Sequence, residues 1–133
     1  MSTWIFQGNP KLFHMDEYLS ARQHRQIVWA IRQKYFIKDV TVGDEVYIWR
    51  SNGHNQGTGG IVARGTITST PRDIPDDAPE LWTEPEVSPL DSRVEILLDE
   101  VRLTKEQGMI CQGGIAARPQ RELYAHTEVR IAD

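Results

Sequence analysis

The sequence predicts an α+β fold, a small curved β-barrel of five or six strands flanked by short helices. Three observations lead there. Most ordered-looking segments alternate apolar and polar residues at period two. The helix-like segments are few and short. Glycine and proline clusters break the chain between short strands, as in small barrels. A chain of 133 residues supports one core, so residues 1–133 are assigned to a single domain.

Thr3-Trp4-Ile5-Phe6-Gln7 is aromatic and β-branched and predicts a first strand, ended by Gly8-Asn9-Pro10. Asp16 is placed as the N-cap of a short helix through Glu17, Tyr18, Leu19 and Ala21. From Gln26 to Arg32, Ile27, Trp29 and Ile31 alternate with Val28, Ala30 and Arg32. A strand with one buried face is expected, with a helical turn as its competitor. Val42-Gly43-Asp44 is a turn before a strand over Glu45–Arg50. Ser51–Gly60 is a glycine-rich loop leading into a strand over Ile61–Thr68, so residues 45–68 predict a hairpin with a wide tip.

Residues 71–91 hold five of the seven prolines and seven acidic residues. That proline density predicts a long surface loop without regular structure. Leu81-Trp82 within it predicts that part of the loop folds back on the domain. Arg93–Leu103 is an apolar strand, Gly108–Gly114 is irregular, Pro119 opens a short helix through Glu122 and Tyr124, and Glu128–Ile131 is a closing strand.

Composition narrows the function. The hydrophobic fraction of 39% and charged fraction of 26% are those of a globule with a core. No apolar run approaches the roughly 20 residues that span a bilayer, and MSTWIFQGNP carries no signal-peptide pattern. The one cysteine, Cys111, excludes an internal disulfide and a cysteine zinc cage. It is expected to be a buried structural thiol, and a cytoplasmic location is expected. A net charge of −4 argues against a bulk, sequence-blind nucleic-acid binder. The charge is uneven, however. Residues 1–65 carry eight Lys/Arg against five Asp/Glu, and residues 66–133 carry seven against fourteen. A local basic face on the first half and a mixed solvated surface both fit.

The residues give little sign of catalysis. His14, His24, His54 and His126 have no ligand at metal spacing, and neither a metal nor another cofactor is expected. Gly57-Thr58-Gly59-Gly60 lacks the ending and helix of a phosphate loop and reads as a hairpin tip. Asp73, Asp76, Asp77 and Glu80 read as a solvated acidic loop rather than a cation site. The four tryptophans, Trp4, Trp29, Trp49 and Trp82, are more telling. Each alone reads as core, yet Trp29 and Trp82 fall where two flat walls can close on a planar base. Asn9 is a candidate for its edge, with Arg22, Arg25, Arg32, Lys34, Lys38, Arg50 and Arg64 for flanking phosphates.

WIFQGNP at 4–10, IVWAIRQ at 27–33, VGDEVYIWRS at 42–51 and GIVARGTI at 60–67 occur in an order that resembles the EVE domain family of the PUA-like superfamily. The resemblance covers almost the whole chain and is strongest over residues 4–67. It implies a PUA-like barrel and kinship with YTH domains, which read N6-methyladenine through an aromatic cage. Trp29 is similar in position to one cage tryptophan and Trp82 to the second. Asn9 lies near the family's base-edge contacts, and Ala30 stands where YTH domains often carry Ser or Cys.

EVE domains resemble sensors of modified DNA bases in modification-dependent restriction systems, often fused to nuclease or ATPase modules. The resemblance therefore implies a nucleic-acid-binding module that takes a flipped 5-methylcytosine or 5-hydroxymethylcytosine, DNA being favoured over RNA, with no catalysis in this domain. The expected base-binding residues are Trp29, Trp82, Asn9 and Ser51, and the expected phosphate contacts are Arg22, Arg25, Arg50 and Arg64. The domain is expected either to stand alone or to be the N-terminal module of a longer protein. Two rivals stand beside this reading. One is a PUA-like hydrolase of modified nucleosides, for which Lys38, Glu45, Thr66 and Thr68 are available. The other is a module that binds a small ligand or a protein and no nucleic acid. No membrane partner is expected.

Overall fold

The computed structural model describes residues 2–31, 38–52, 59–83, 90–104, 106–111 and 129–132. Its elements are β1 (Thr3–Gly8), α1 (Met15–Ser20), β2 (Gln26–Ala30), β3 (Glu45–Arg50), β4 (Gly60–Ile67), β5 (Arg72–Pro75), β6 (Leu90–Val101), β7 (Ile110–Cys111) and β8 (Val129–Ala132). A curled mixed sheet runs β2-β6-β4-β3-β1-β8, with β5 paired to β6 and β7 to β4. The expected barrel is thus an open path of six strands with two short strands attached. β1 lies parallel to both β3 and β8, and the other pairings are antiparallel. Among the described residues one α-helix is present, so the flanking helices are sparser than expected. The helix expected from Pro119 lies outside the described residues, as do residues 53–58 of the hairpin tip and the Cys111 side chain.

Alternation decides what each strand buries. Trp4 and Phe6 of β1, Val46 and Ile48 of β3, and Val94, Ile96 and Leu98 of β6 meet in one core, which α1 closes with Met15, Tyr18 and Leu19. The turn before β3 forms as expected, with the Asp44 N–H donating to the Thr41 carbonyl at 3.1 Å. The Asp44 carboxylate accepts from the Trp4 indole at 3.0 Å and from the Thr41 N–H at 3.0 Å, so the turn is tied to the core. Trp4 is therefore a core residue with a satisfied indole. The register of β4 against β6 shifts between Arg64 and Gly65. A Cβ at Gly65 would lie 2.6 Å from the Leu97 carbonyl oxygen, so the irregularity needs glycine.

Two expectations are corrected together. Asp16 does not cap α1: His14 holds the N-cap position, and no side chain bonds there. Both Asp16 oxygens instead accept from Arg50 Nη1 at 2.9 Å. Arg50 follows Val46 and Ile48 on the inward face of β3, is only 6% exposed, and also donates Nη2 to the Leu103 carbonyl at 2.9 Å. An inward cation needs a counter-charge, and α1 supplies it. Arg50 therefore joins helix to sheet rather than facing a solvent-side phosphate.

The proline-rich segment is more regular than expected. Arg72–Pro75 pairs with β6, and Pro79–Leu81 makes a 3-10 turn. Proline is tolerated here because Pro75 ends its strand and Pro79 opens its turn, where no N–H is required. The expected return of Leu81-Trp82 to the domain does occur, since both pack against the core. Ile110–Cys111, expected to be irregular, adds two residues of strand along β4. No described helix is long and apolar enough to cross a membrane.

Candidate functional site

The site begins at the outer edge of β2, which pairs with no strand among the described residues. β2 pairs with β6 on one side, with Trp29 opposite Val94 and Ala30 opposite Arg93. The Ile31 N–H donates to Ser92 and the Leu98 N–H to Arg25. Odd-numbered residues of β2 thus bond to β6, and the peptide groups of Val28 and Ala30 point to the open side. Tyr18 of α1 closes that edge at Val28. Its hydroxyl accepts the Val28 N–H at 2.9 Å and lies 3.1 Å from the Val28 carbonyl. The same hydroxyl donates to Asp77, 2.9 Å away. Burial above all pushes the Tyr18 hydroxyl well above the ordinary tyrosine range; the Val28 N–H opposes this and Asp77 adds to it. Tyr18 is a neutral donor under all ordinary conditions.

The second wall is the returning loop. Asp76 accepts the Ala78 N–H at 2.9 Å through one oxygen and the Trp82 indole N–H at 2.6 Å through the other. Trp82 packs on Phe13, ring centroids 4.7 Å apart, and bridges it in a short antiparallel pair. The His14 N–H donates to Leu81 and the Thr83 N–H to Leu12. The loop is thereby fastened to the turn that follows β1.

Between these walls lies a cavity of roughly 230 Å³. Ligand pockets usually span about 300–1,000 Å³, so this one suits a single small ring system. Trp29, Trp82, Phe13 and Tyr18 supply its aromatic surface, and Asn9, Asp76, Asp77 and Arg93 its polar groups. Gly8 also lines it: a Cβ there would meet the Met15 sulfur at 2.8 Å and the Trp29 ring at 3.2 Å, so a larger residue would require the end of Met15 to shift. Asn9 accepts the Lys11 N–H through its side-chain oxygen at 2.9 Å, which leaves its amide NH₂ as the donor end. Asp77 accepts a hydrogen bond from the Tyr18 hydroxyl and lies 3.9 Å from Arg22 Nε. A carboxylate has further acceptor sites to offer. The cavity thus presents flat faces, one amide donor and a carboxylate acceptor.

Three of the four residues expected to bind a base, Trp29, Trp82 and Asn9, line this one cavity. Ser51 does not. Its N–H donates to the Gly8 carbonyl at 3.0 Å, which braces the cavity wall from behind, and its buried hydroxyl has no partner among the described residues. The arginines separate. Arg22 does not line the cavity but contacts two residues that do: it lies 4.2 Å over the Tyr18 ring, donates to the Tyr18 carbonyl and lies 3.9 Å from Asp77. Arg25 is exposed. Arg64 is exposed on the outward face of the sheet opposite Tyr47, 3.9 Å from Asp99. Arg32 and Lys34 lie outside the described residues. None of Lys38, Glu45, Thr66 and Thr68 borders the cavity. Among the described residues no His/Cys/Asp/Glu group has the arrangement of a metal site.

Sequence reasoning missed Tyr18, Phe13, Asp77 and Arg93. Tyr18 carried a signal, since a tyrosine on the buried face of a short helix needs a partner for its hydroxyl. Asp76, read as solvated, is half-buried in the wall, while Asp77 stays exposed and also lines the cavity. Nothing local distinguishes them from Asp73.

Comparison with known proteins agrees with this architecture. The EVE domain profile matches residues 2–106. No curated protein matches the sequence. Similar solved structures include the Rpa0253 protein of Rhodopseudomonas palustris, with 19% identity over 90% of this chain and 73% of that one and a TM-score of 0.55. PSPTO5229 of Pseudomonas syringae has 19% identity over 92% and 82%, with a TM-score of 0.58. Human THYN1, solved in complex with 5-methylcytosine-containing DNA, has 18% identity over 94% and 78%, with a TM-score of 0.55.

Proposed function

The chain belongs to the EVE domain family, and from that premise we propose that it is a nucleic-acid-binding module that takes one modified base, extruded from DNA, into the cavity between Trp29 and Trp82. The observation that carries this reading is the convergence of both tryptophans with Asn9 and Asp77 on one base-sized cavity. The likeness of the fold to THYN1, whose structure holds 5-methylcytosine-containing DNA, favours a modified cytosine as the base.

Stacking contributes roughly 1–3 kcal/mol per base, and extrusion from a duplex costs a few kcal/mol. The balance is close, so a small addition decides it. A buried methyl group adds about 0.8 kcal/mol, near fourfold in affinity. Asn9 donates to a ring carbonyl, while Asp77 and the outward peptide of Ala30 meet an exocyclic amino group. That pattern suits 5-methylcytosine and 5-hydroxymethylcytosine and opposes thymine, which turns a carbonyl to the carboxylate. Arg22 and Arg25 contact the flanking phosphates. In this reading the domain recognises and does not catalyse, and it serves as the sensor of a modification-dependent restriction system whose nuclease or ATPase is a separate module.

The test is a titration at fixed salt with short duplexes carrying cytosine, 5-methylcytosine, 5-hydroxymethylcytosine or N6-methyladenine at one site, each also as a single strand. A preference for one modified base that Trp82→Ala abolishes, with the fold intact, supports the reading. No binding to any member of the panel refutes it.

A further inference from the structure

Three large apolar side chains are exposed among the described residues: Leu12, Val42 and Leu97. A lone exposed leucine needs no explanation by itself. Leu12, however, is the one of the three that borders the cavity, and 52% of it faces solvent. Its backbone is also unusually constrained. Pro10 occupies the second position of a turn in which the Asn9 carbonyl accepts the N–H of Leu12 at 2.9 Å and of Phe13 at 3.1 Å. The Asn9 side chain holds the Lys11 N–H. From the other side, the Thr83 N–H donates to the Leu12 carbonyl at 3.0 Å and the Thr83 hydroxyl to the Lys11 carbonyl at 2.9 Å. The chain thus presents an apolar side chain on a rigid turn at the mouth of a base-sized cavity, beside an exposed lysine.

We propose that Leu12 is an intercalating wedge: it enters a DNA duplex and fills the gap that the extruded base leaves behind. The proposal rests on the base-reading function above and adds the substrate form, a double helix. An extruded base stays tethered through its sugar, so the pocket mouth and the vacated stack lie within one nucleotide of each other. The gap is walled by two base faces and is poorly filled by water. An apolar side chain placed there restores part of the lost stacking, as apolar wedges do in other duplex-distorting proteins. Because the turn is already ordered, little conformational freedom is lost on insertion. Lys11 stands next to the wedge, where the neighbouring phosphate would run. A single strand has no stack to fill, so Leu12 contributes little to binding one.

The experiment compares wild type, Leu12→Ala and Leu12→Met on the same modified base in a duplex and in a single strand, by fluorescence anisotropy at fixed salt. Circular dichroism checks the fold, which an exposed side chain should not perturb. Leu12→Ala is expected to lose about tenfold on the duplex, close to 1.4 kcal/mol, and less than about twofold on the single strand, with Leu12→Met recovering most of the loss. An equal loss on both forms, or no loss on the duplex, overturns the wedge while leaving the base reader in place. If wild type binds the modified base in neither form, the base-reading function fails and the wedge fails with it.

Discussion

Removing the Tyr18 hydroxyl tests the central device of the site, a side chain that substitutes for a missing strand partner. Tyr18→Phe keeps the ring that packs on Phe13, centroids 5.2 Å apart. It deletes the acceptor of the Val28 N–H at 2.9 Å and the donor to Asp77 at 2.9 Å. A lost bond between neutral groups costs about 1 kcal/mol and one to a charged group about 1.5–3 kcal/mol. The site opens into a cavity that admits water, which restores part of this. The net loss expected is about 2 kcal/mol. With an unfolding entropy of about 2.1 cal/mol/K per residue, that lowers Tm by about 7 °C at neutral pH.

The pH dependence gives a second, independent sign. The folded state holds Tyr18 above its ordinary value of 10.0, so the unfolded chain releases this proton first. The stability contributed is fully present below pH 10 and is lost as pH rises beyond it. The gap between wild type and Tyr18→Phe should therefore close by about 1 kcal/mol on going from pH 10, where the unfolded tyrosine is half ionised, to pH 11. Thermal unfolding at pH 7 and urea unfolding at pH 7, 10 and 11, both followed by circular dichroism, measure the two effects. A Tm shift below about 2 °C at pH 7, or a gap unchanged with pH, would refute the claim that Tyr18 seals the β2 edge.

Four further outcomes are expected. Trp82→Ala should weaken modified-base binding by 1–3 kcal/mol, roughly 5- to 150-fold, with a smaller loss of stability than Trp29→Ala because Trp82 is only half-buried against Phe13; Trp29, only 8% exposed, lies in the core, so Trp29→Ala should also destabilise the fold by about 3–5 kcal/mol, and thermal melts alongside titrations separate the two. Arg50→Ala should destabilise by about 1–3 kcal/mol, because it removes the buried guanidinium's bonds to Asp16 and to the Leu103 carbonyl, and leave the salt slope of DNA binding unchanged, whereas Arg22→Ala should reduce that slope by about 1. Asp77→Asn should cut the preference for cytosine-type over thymine-type modified bases by about tenfold, roughly the worth of one charged hydrogen bond, read from competition titrations. Gly65→Ala should lower stability in urea unfolding by about 1–3 kcal/mol, because its Cβ meets the Leu97 backbone.

The sequence by itself determined the period and polarity of the main strands. Alternation over residues 26–32 was enough to expect Trp29 on a buried strand face, while the choice of strand over the competing helical turn came from pairing with β6. An apolar pair in an acidic, proline-rich loop was enough to bring Trp82 back to the domain. With Asn9, these were the residues of the cavity that local patterns and family resemblance revealed. Tertiary structure decided everything that depended on a partner far along the chain. Asp16 and Arg50 are 34 residues apart and Tyr18 and Asp77 are 59 apart, and neither pairing leaves a local trace. Local sequence sets which way a side chain points within its own element. Strand register and helix placement set what it meets, and so turned Arg50 into a link between α1 and the sheet, Tyr18 into an edge cap and Asp77 into a lining residue of the cavity.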